Sequence, residues 1–127
     1  MGYVLLVGIG GFIGSALRYL VGGWVQRLSQ SIAFPYGTLT VNLIGCFVIG
    51  LLSELAEAQG LFSPEARAVV LIGLLGGFTT FSTFSNETYN LARGGQTLMS
   101  FIYLGAHILF GLGFAWFGHI VAQLIWR

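Results

Sequence analysis

The sequence predicts an all-α integral membrane protein of four transmembrane helices, the third broken near its middle. Three observations point there. Hydrophobic residues make up 56% of the 127 residues and charged residues only 7%, where an ordinary soluble domain carries roughly 25% charged residues and needs them for a solvated surface. Polar and turn-forming stretches divide the chain into four apolar segments, each close to the ~20 residues that cross a bilayer. The third segment changes character halfway, from a glycine-rich apolar run to hydroxyl and aromatic residues. The chain has no lysine and no aspartate, and its formal net charge of +1 offers no nucleic-acid surface. The one cysteine, Cys46, sits in an apolar run and reads as a small hydrophobe.

The first segment covers about residues 3–26. It lacks the basic start of a targeting peptide and reads as the first span. Arg27 to Ser31 and then Phe34-Pro35-Tyr36-Gly37 separate it from the second, about 38–57, which ends at Glu54 and Glu57. Ser63-Pro64-Glu65 opens the third, about 64–92, with a capping serine, proline at the first helical position and an acid in the first turn. Arg93-Gly94-Gly95 ends it, and the fourth covers about 97–125. The connections are short, so residues 1–127 read as a single four-helix transmembrane domain.

Within the third segment, the glycines from Gly73 to Gly77 lead into Phe78-Thr79-Thr80-Phe81-Ser82-Thr83-Phe84-Ser85-Asn86-Glu87. Paired glycines beside two β-branched threonines predict a break near 76–80. Irregular backbone at membrane depth is tolerated only where it is buried in protein or lines an aqueous cavity, which makes this stretch the candidate functional centre. Helix packing is the competing reading, because glycine and hydroxyl residues are common at membrane helix contacts.

The charges say little about orientation. The first and third connections carry Arg27 and Arg93; the second connection and the termini carry Arg67 and Arg127. Two against two gives the positive-inside rule almost nothing to act on. Such a chain can insert both ways up, and two opposite copies can then pair about a twofold axis in the membrane plane. Four helices alone make a thin bundle for an aqueous pathway. The GxxxG pairs Gly10/Gly14 and Gly73/Gly77 supply small residues for the contacts of an oligomer.

Several polar residues inside the spans are candidates for chemistry. Arg18 lies well within the first segment, where an arginine is costly and suggests function. It either attracts anions and holds a vestibule open, or pairs with Glu87 or with backbone carbonyls, or snorkels. Asn42 offers donors to an anion or a bond between helices. Phe81 and Phe84, three apart, share a helix face. Their ring edges carry partial positive charge and suit a small desolvated anion, although phenylalanines at this spacing also simply pack. Thr79, Ser82, Thr83 and Asn86 follow helical spacing beside them. Tyr103 and His107 share a face of the fourth segment. There is no HExxH, no Cys/His cluster, no Gly-x-Ser-x-Gly elbow and no P-loop, so no catalytic constellation supports an enzyme.

Across Gly76-Gly77-Phe78-Thr79-Thr80-Phe81-Ser82-Thr83-Phe84-Ser85, the chain closely resembles the Fluc (CrcB) fluoride channel family. Gly10-Gly11-Phe12-Ile13-Gly14 leading to Arg18, and Gly37-Thr38-Leu39-Thr40-Val41-Asn42-Leu43-Ile44-Gly45, resemble its first two helices. The resemblance runs in order over nearly the whole chain. It implies a passive fluoride-selective channel of the cell (inner or plasma) membrane, exporting fluoride from the cytoplasm. The assembly it implies is an antiparallel, dual-topology homodimer with two pores and a structural sodium ion at its centre. By position, the backbone carbonyls of Gly76 and Thr79 from both subunits would hold the sodium. Asn42, Phe81, Phe84, Ser82, Thr83 and Tyr103 would line the anion pathway, with Arg18 and Glu87 in the vestibule. Family members often carry small hydroxyl residues after the fourth-helix tyrosine; this chain has His107 and Gly111 there. Carbonyls freed by a helix break suit a hard cation, and a fixed cation favours an anion nearby. The alternatives are a small multidrug or guanidinium-type exporter and a non-conducting membrane assembly subunit. The exporter needs a central carboxylate to couple substrate and proton, and the first segment has none.

Overall fold

A computed structural model describes residues 1–126; Arg127, one of the arginines weighed for orientation, lies outside them. Four helices are long and apolar enough to cross a membrane: Gly2–Ser29, Tyr36–Glu57, the broken Pro64–Arg93, and Thr97–Ile125. The first two are α1 and α2. The third span opens as α3 (Pro64–Arg67), widens into a π-helical run at Ala68–Leu75, and closes a last α-turn at α4 (Gly76–Phe78). It resumes as α5 (Phe81–Arg93), and α6 (Thr97–Ile125) is the fourth span.

Local chemistry accounts for the ends. Ser63 Oγ accepts from the Ala66 N–H at 3.2 Å and caps α3, ahead of Pro64, whose missing N–H costs nothing at this position. Gln26, in the last turns of α1, ties down the connection to α2. Its amide donates to the carbonyls of Ser31 and Phe34, at 2.8 and 3.1 Å, and its carbonyl accepts from the Gly37 N–H at 2.9 Å. After α5 the chain turns through Gly95 at φ 83°, a left-handed conformation that suits glycine.

Packing follows the small residues. A Cβ added at Gly10 would collide with the Val69 carbonyl, and one at Gly14 with the Leu74 carbonyl; Gly73 and Gly77 abut the backbone of Val7 and Gly11 in return. The two GxxxG pairs, expected to serve contacts of an oligomer, face each other inside one chain and hold α1 against the first half of the third span. Backbones meet there directly, which only residues without side chains permit. Gly50 and Gly118 similarly bring α2 and α6 together, against Ala115 and Phe47. The enclosed cluster is small: Phe34, Phe84, Leu91 and Tyr103. Large apolar side chains such as Phe12 and Leu20 of α1, and Leu109, Phe110 and Trp116 of α6, point outwards. Exposed apolar area of this extent marks a surface that lipid or another protein covers.

Candidate functional site

The break occupies Thr79 and Thr80. Both are extended, at φ −86°, ψ 157° and φ −150°, ψ 116°, whereas Gly76 and Gly77 remain helical. The interruption therefore sits on the β-branched residues, which favour extended backbone. Of the two glycines beside it, Gly77 serves close packing against the backbone of Gly11.

Asn42 of α2 stabilises this break. Its Oδ1 accepts the Thr80 N–H at 2.9 Å, and its Nδ2 donates to the Thr80 carbonyl at 3.1 Å. The Thr80 N–H thus finds a partner where no helix supplies one, as the membrane interior requires, and its carbonyl, which as the N-cap of α5 already accepts the first bond of that helix, takes a second donor. The Thr80 hydroxyl, in turn, caps α5: it accepts from the Thr83 N–H at 3.3 Å and donates to Thr83 Oγ1 at 3.0 Å.

These bonds free two carbonyls. In an unbroken helix the Thr80 N–H would close on the Gly76 carbonyl and the Thr83 N–H on the Thr79 carbonyl. Here the first is bonded to Asn42 and the second to Thr80 Oγ1. Gly76 is exposed, and a Cβ there would meet nothing within 4 Å, so its face is open. The break also sets two helix ends of opposite polarity back to back. The carbonyl end of α4 is negative, and the N–H end of α5, at Phe81 and Ser82, is positive.

The remaining candidates gather around these ends. Arg18 reaches the first half of the span, its Nε donating to the Gly77 carbonyl at 3.1 Å; among the described residues its partner is that carbonyl, not Glu87. Glu87 accepts from Thr38 Oγ1 at 2.9 Å and from the Tyr103 hydroxyl at 2.5 Å. Tyr103 is fully buried, so what it presents is a bond to Glu87. Phe84 is buried and Phe81 is 79% exposed, their ring centroids 5.6 Å apart. Ser82 is exposed.

Two clefts flank the break. One, of about 680 Å³, is lined on its polar side by Arg18, Thr38, Thr80, Thr83 and Glu87. The other, of about 470 Å³, is lined by Asn42, Gly76, Thr79, Phe81, Phe84 and His107, with Thr80 again. Thr80 borders both. It was not among the site residues expected from the sequence, nor was Thr38. The available signal for Thr80 was a threonine directly before a helical run, a residue type that caps helix starts.

Comparison with known proteins identifies the family. The sequence pattern of the family described as CrcB-like protein, Camphor Resistance (CrcB), matches residues 5–119. The chain belongs to the CrcB family. Among its relatives, Fluoride-specific ion channel FluC 1 of Methanosarcina acetivorans is 47% identical over 119 residues, 94% of this chain and 89% of that one. Fluoride-specific ion channel FluC of Methylobacillus flagellatus is 47% identical over 121 residues, 95% and 94% of the two chains. That of Geotalea daltonii is 43% identical over 122 residues, 96% and 98%. With four spanning helices, this CrcB protein is a multi-pass membrane protein.

Proposed function

We propose that this CrcB protein is a passive fluoride-selective channel that lets fluoride leave the cytoplasm. The observation that carries the reading is the break at Thr79 and Thr80. Two clefts meet at Thr80, and the positive end of α5 lies beside Phe81 and Phe84. Discontinuous helices of this kind aim N-termini at anions and carbonyl ends at cations. Aromatic edges add a weak positive lining, which suits conduction because an ion must bind and then leave. Arg18 draws anions into the polar cleft, and Ser82, Thr83 and Asn42 continue the polar lining. The names of the relatives support fluoride as the ion.

The complete channel, in this reading, is an antiparallel homodimer with two pathways. The donor set at the break fits sodium: the carbonyls of Gly76 and Thr79 are hard oxygen ligands without their helical N–H partners, and Gly76 opens on a free face. Two such pairs, one from each copy, would hold the ion. It would supply a fixed positive charge beside the anion route.

Fluoride efflux from proteoliposomes, with chloride-loaded vesicles in parallel, tests the reading. Fluoride release without chloride release is expected, and it stops in Phe81→Ile and Phe84→Ile proteins that remain folded. Folded protein that releases neither ion points instead to an exporter or an assembly subunit. Crosslinks found only between parallel copies would reject the antiparallel arrangement.

A further inference from the structure

His107 lies on α6, one turn beyond Tyr103, and lines the same cleft as Asn42, Phe81 and Phe84. Its Nε2 is 3.0 Å from Asn42 Nδ2, and its Nδ1 is 3.2 Å from the Tyr103 carbonyl. Its ring lies 4.1 Å from that of Phe84, tilted by 34°. These contacts fix its tautomer. Asn42 Oδ1 already accepts the Thr80 N–H, so the end of the amide that faces His107 carries only donors, and Nε2 must accept. Nδ1 faces a carbonyl and must donate.

Asn42 consequently has both amide hydrogens and its oxygen in use: one hydrogen on the Thr80 carbonyl, the other on His107, the oxygen on the Thr80 N–H. An amide hydrogen left free in this cleft would find its partner in the passing anion. A tightly held ion leaves slowly, and conduction needs it to leave.

We propose that His107 is a positioning residue of the anion route: it takes the second amide hydrogen of Asn42, so that an anion passes this point without being trapped. The proposal rests on the channel reading above. The ring contact and the hydrogen bond separate by substitution. His107→Phe keeps a ring against Phe84 and removes the acceptor. His107→Gln places an acceptor near the position of Nε2 without the ring.

The test is fluoride efflux from proteoliposomes for wild type, His107→Phe and His107→Gln, each checked for folding by its elution as a single species in detergent. His107→Phe is expected to conduct about tenfold more slowly, the factor that one hydrogen bond of ordinary strength sets. His107→Gln is expected to recover to within about threefold of wild type, by the same relation. Wild-type rates in His107→Phe, or no recovery in a folded His107→Gln, overturn the proposal while the channel reading stands. A folded wild type that releases no fluoride removes the channel reading, and this proposal with it. A second measurement does not depend on flux. Nitrogen-15 signals of the His107 ring are expected to show the hydrogen on Nδ1, and a hydrogen on Nε2 instead would overturn the bond to Asn42.

Discussion

The two halves of the third span are held by opposite means. From Val69 to Phe78 the chain meets α1 almost backbone to backbone, through Gly10, Gly14, Gly73 and Gly77. From Phe81 onward Phe84 and Leu91 pack into the small apolar cluster, and the other contacts are polar side-chain bonds. Thr38 and Tyr103 donate to Glu87, and Ser100 Oγ donates to the Thr88 carbonyl at 2.8 Å. Thr80 caps the helix start and is itself held by Asn42. The first half is placed mainly by atoms that are missing, with Arg18 on the Gly77 carbonyl as an added bond, and the second largely by atoms that pair. In a bilayer both devices work without help from the hydrophobic effect, because lipid is as apolar as the helices. They differ in what they leave for function. Close backbone packing excludes any pathway, whereas a polar face with some groups paired and others open lines one.

Breaking the packed half has the largest expected effect. Gly14→Val sets side-chain atoms against the Leu74 carbonyl and the Phe78 N–H. Backbone on both sides cannot yield as a flexible side chain would, so a cost of about 3 kcal/mol or more is expected. The measurement is the yield of folded protein and its resistance to denaturing detergent, both of which should collapse. The polar junction comes next. Asn42→Ala strands the Thr80 N–H, at a cost of ~1–3 kcal/mol when unpaired, and removes the second donor to the Thr80 carbonyl. The expected result is folded protein, held by the glycine packing, with fluoride efflux reduced by about a hundredfold, the factor that ~2.7 kcal/mol sets. Unchanged efflux would mean that the break does not depend on Asn42. The smallest effect is expected at the open face between the halves. Gly76→Ala meets nothing within one chain, so the stability of a single chain should change by no more than about 1 kcal/mol, and upward through helix propensity. If this face seats a second copy, self-association measured by energy transfer between labelled chains in lipid should weaken at the same time. Undiminished association would move the dimer contact elsewhere.

Much of this was legible in the residues. Four spans follow from the apolar runs and the polar stretches between them, because a bilayer demands ~20 apolar residues per crossing. The break was readable from Gly76-Gly77 and Thr79-Thr80 taken together, though which pair gives way was not. The π-helical widening at Ala68–Leu75 left no mark in the hydrophobic pattern. An apolar run looks the same whether its hydrogen bonds close at four residues or at five. The GxxxG pairs were visible, but their partners were not: a row of glycines shows that a backbone will come close and does not say whose.

Sequence alone determined that the chain lives in the membrane, crosses it four times and interrupts its third crossing with hydroxyl-bearing residues. Those properties depend on residue type and spacing, which the linear order holds completely. The tertiary structure decided the pairings. It gave Arg18 to the Gly77 carbonyl rather than to Glu87, Tyr103 to Glu87, and Asn42 to both Thr80 and His107. Each of these side chains has several partners of suitable chemistry along the chain. Only the packing of α1, α2 and α6 around the broken span fixes which one lies within 3 Å or so, the reach of a hydrogen bond.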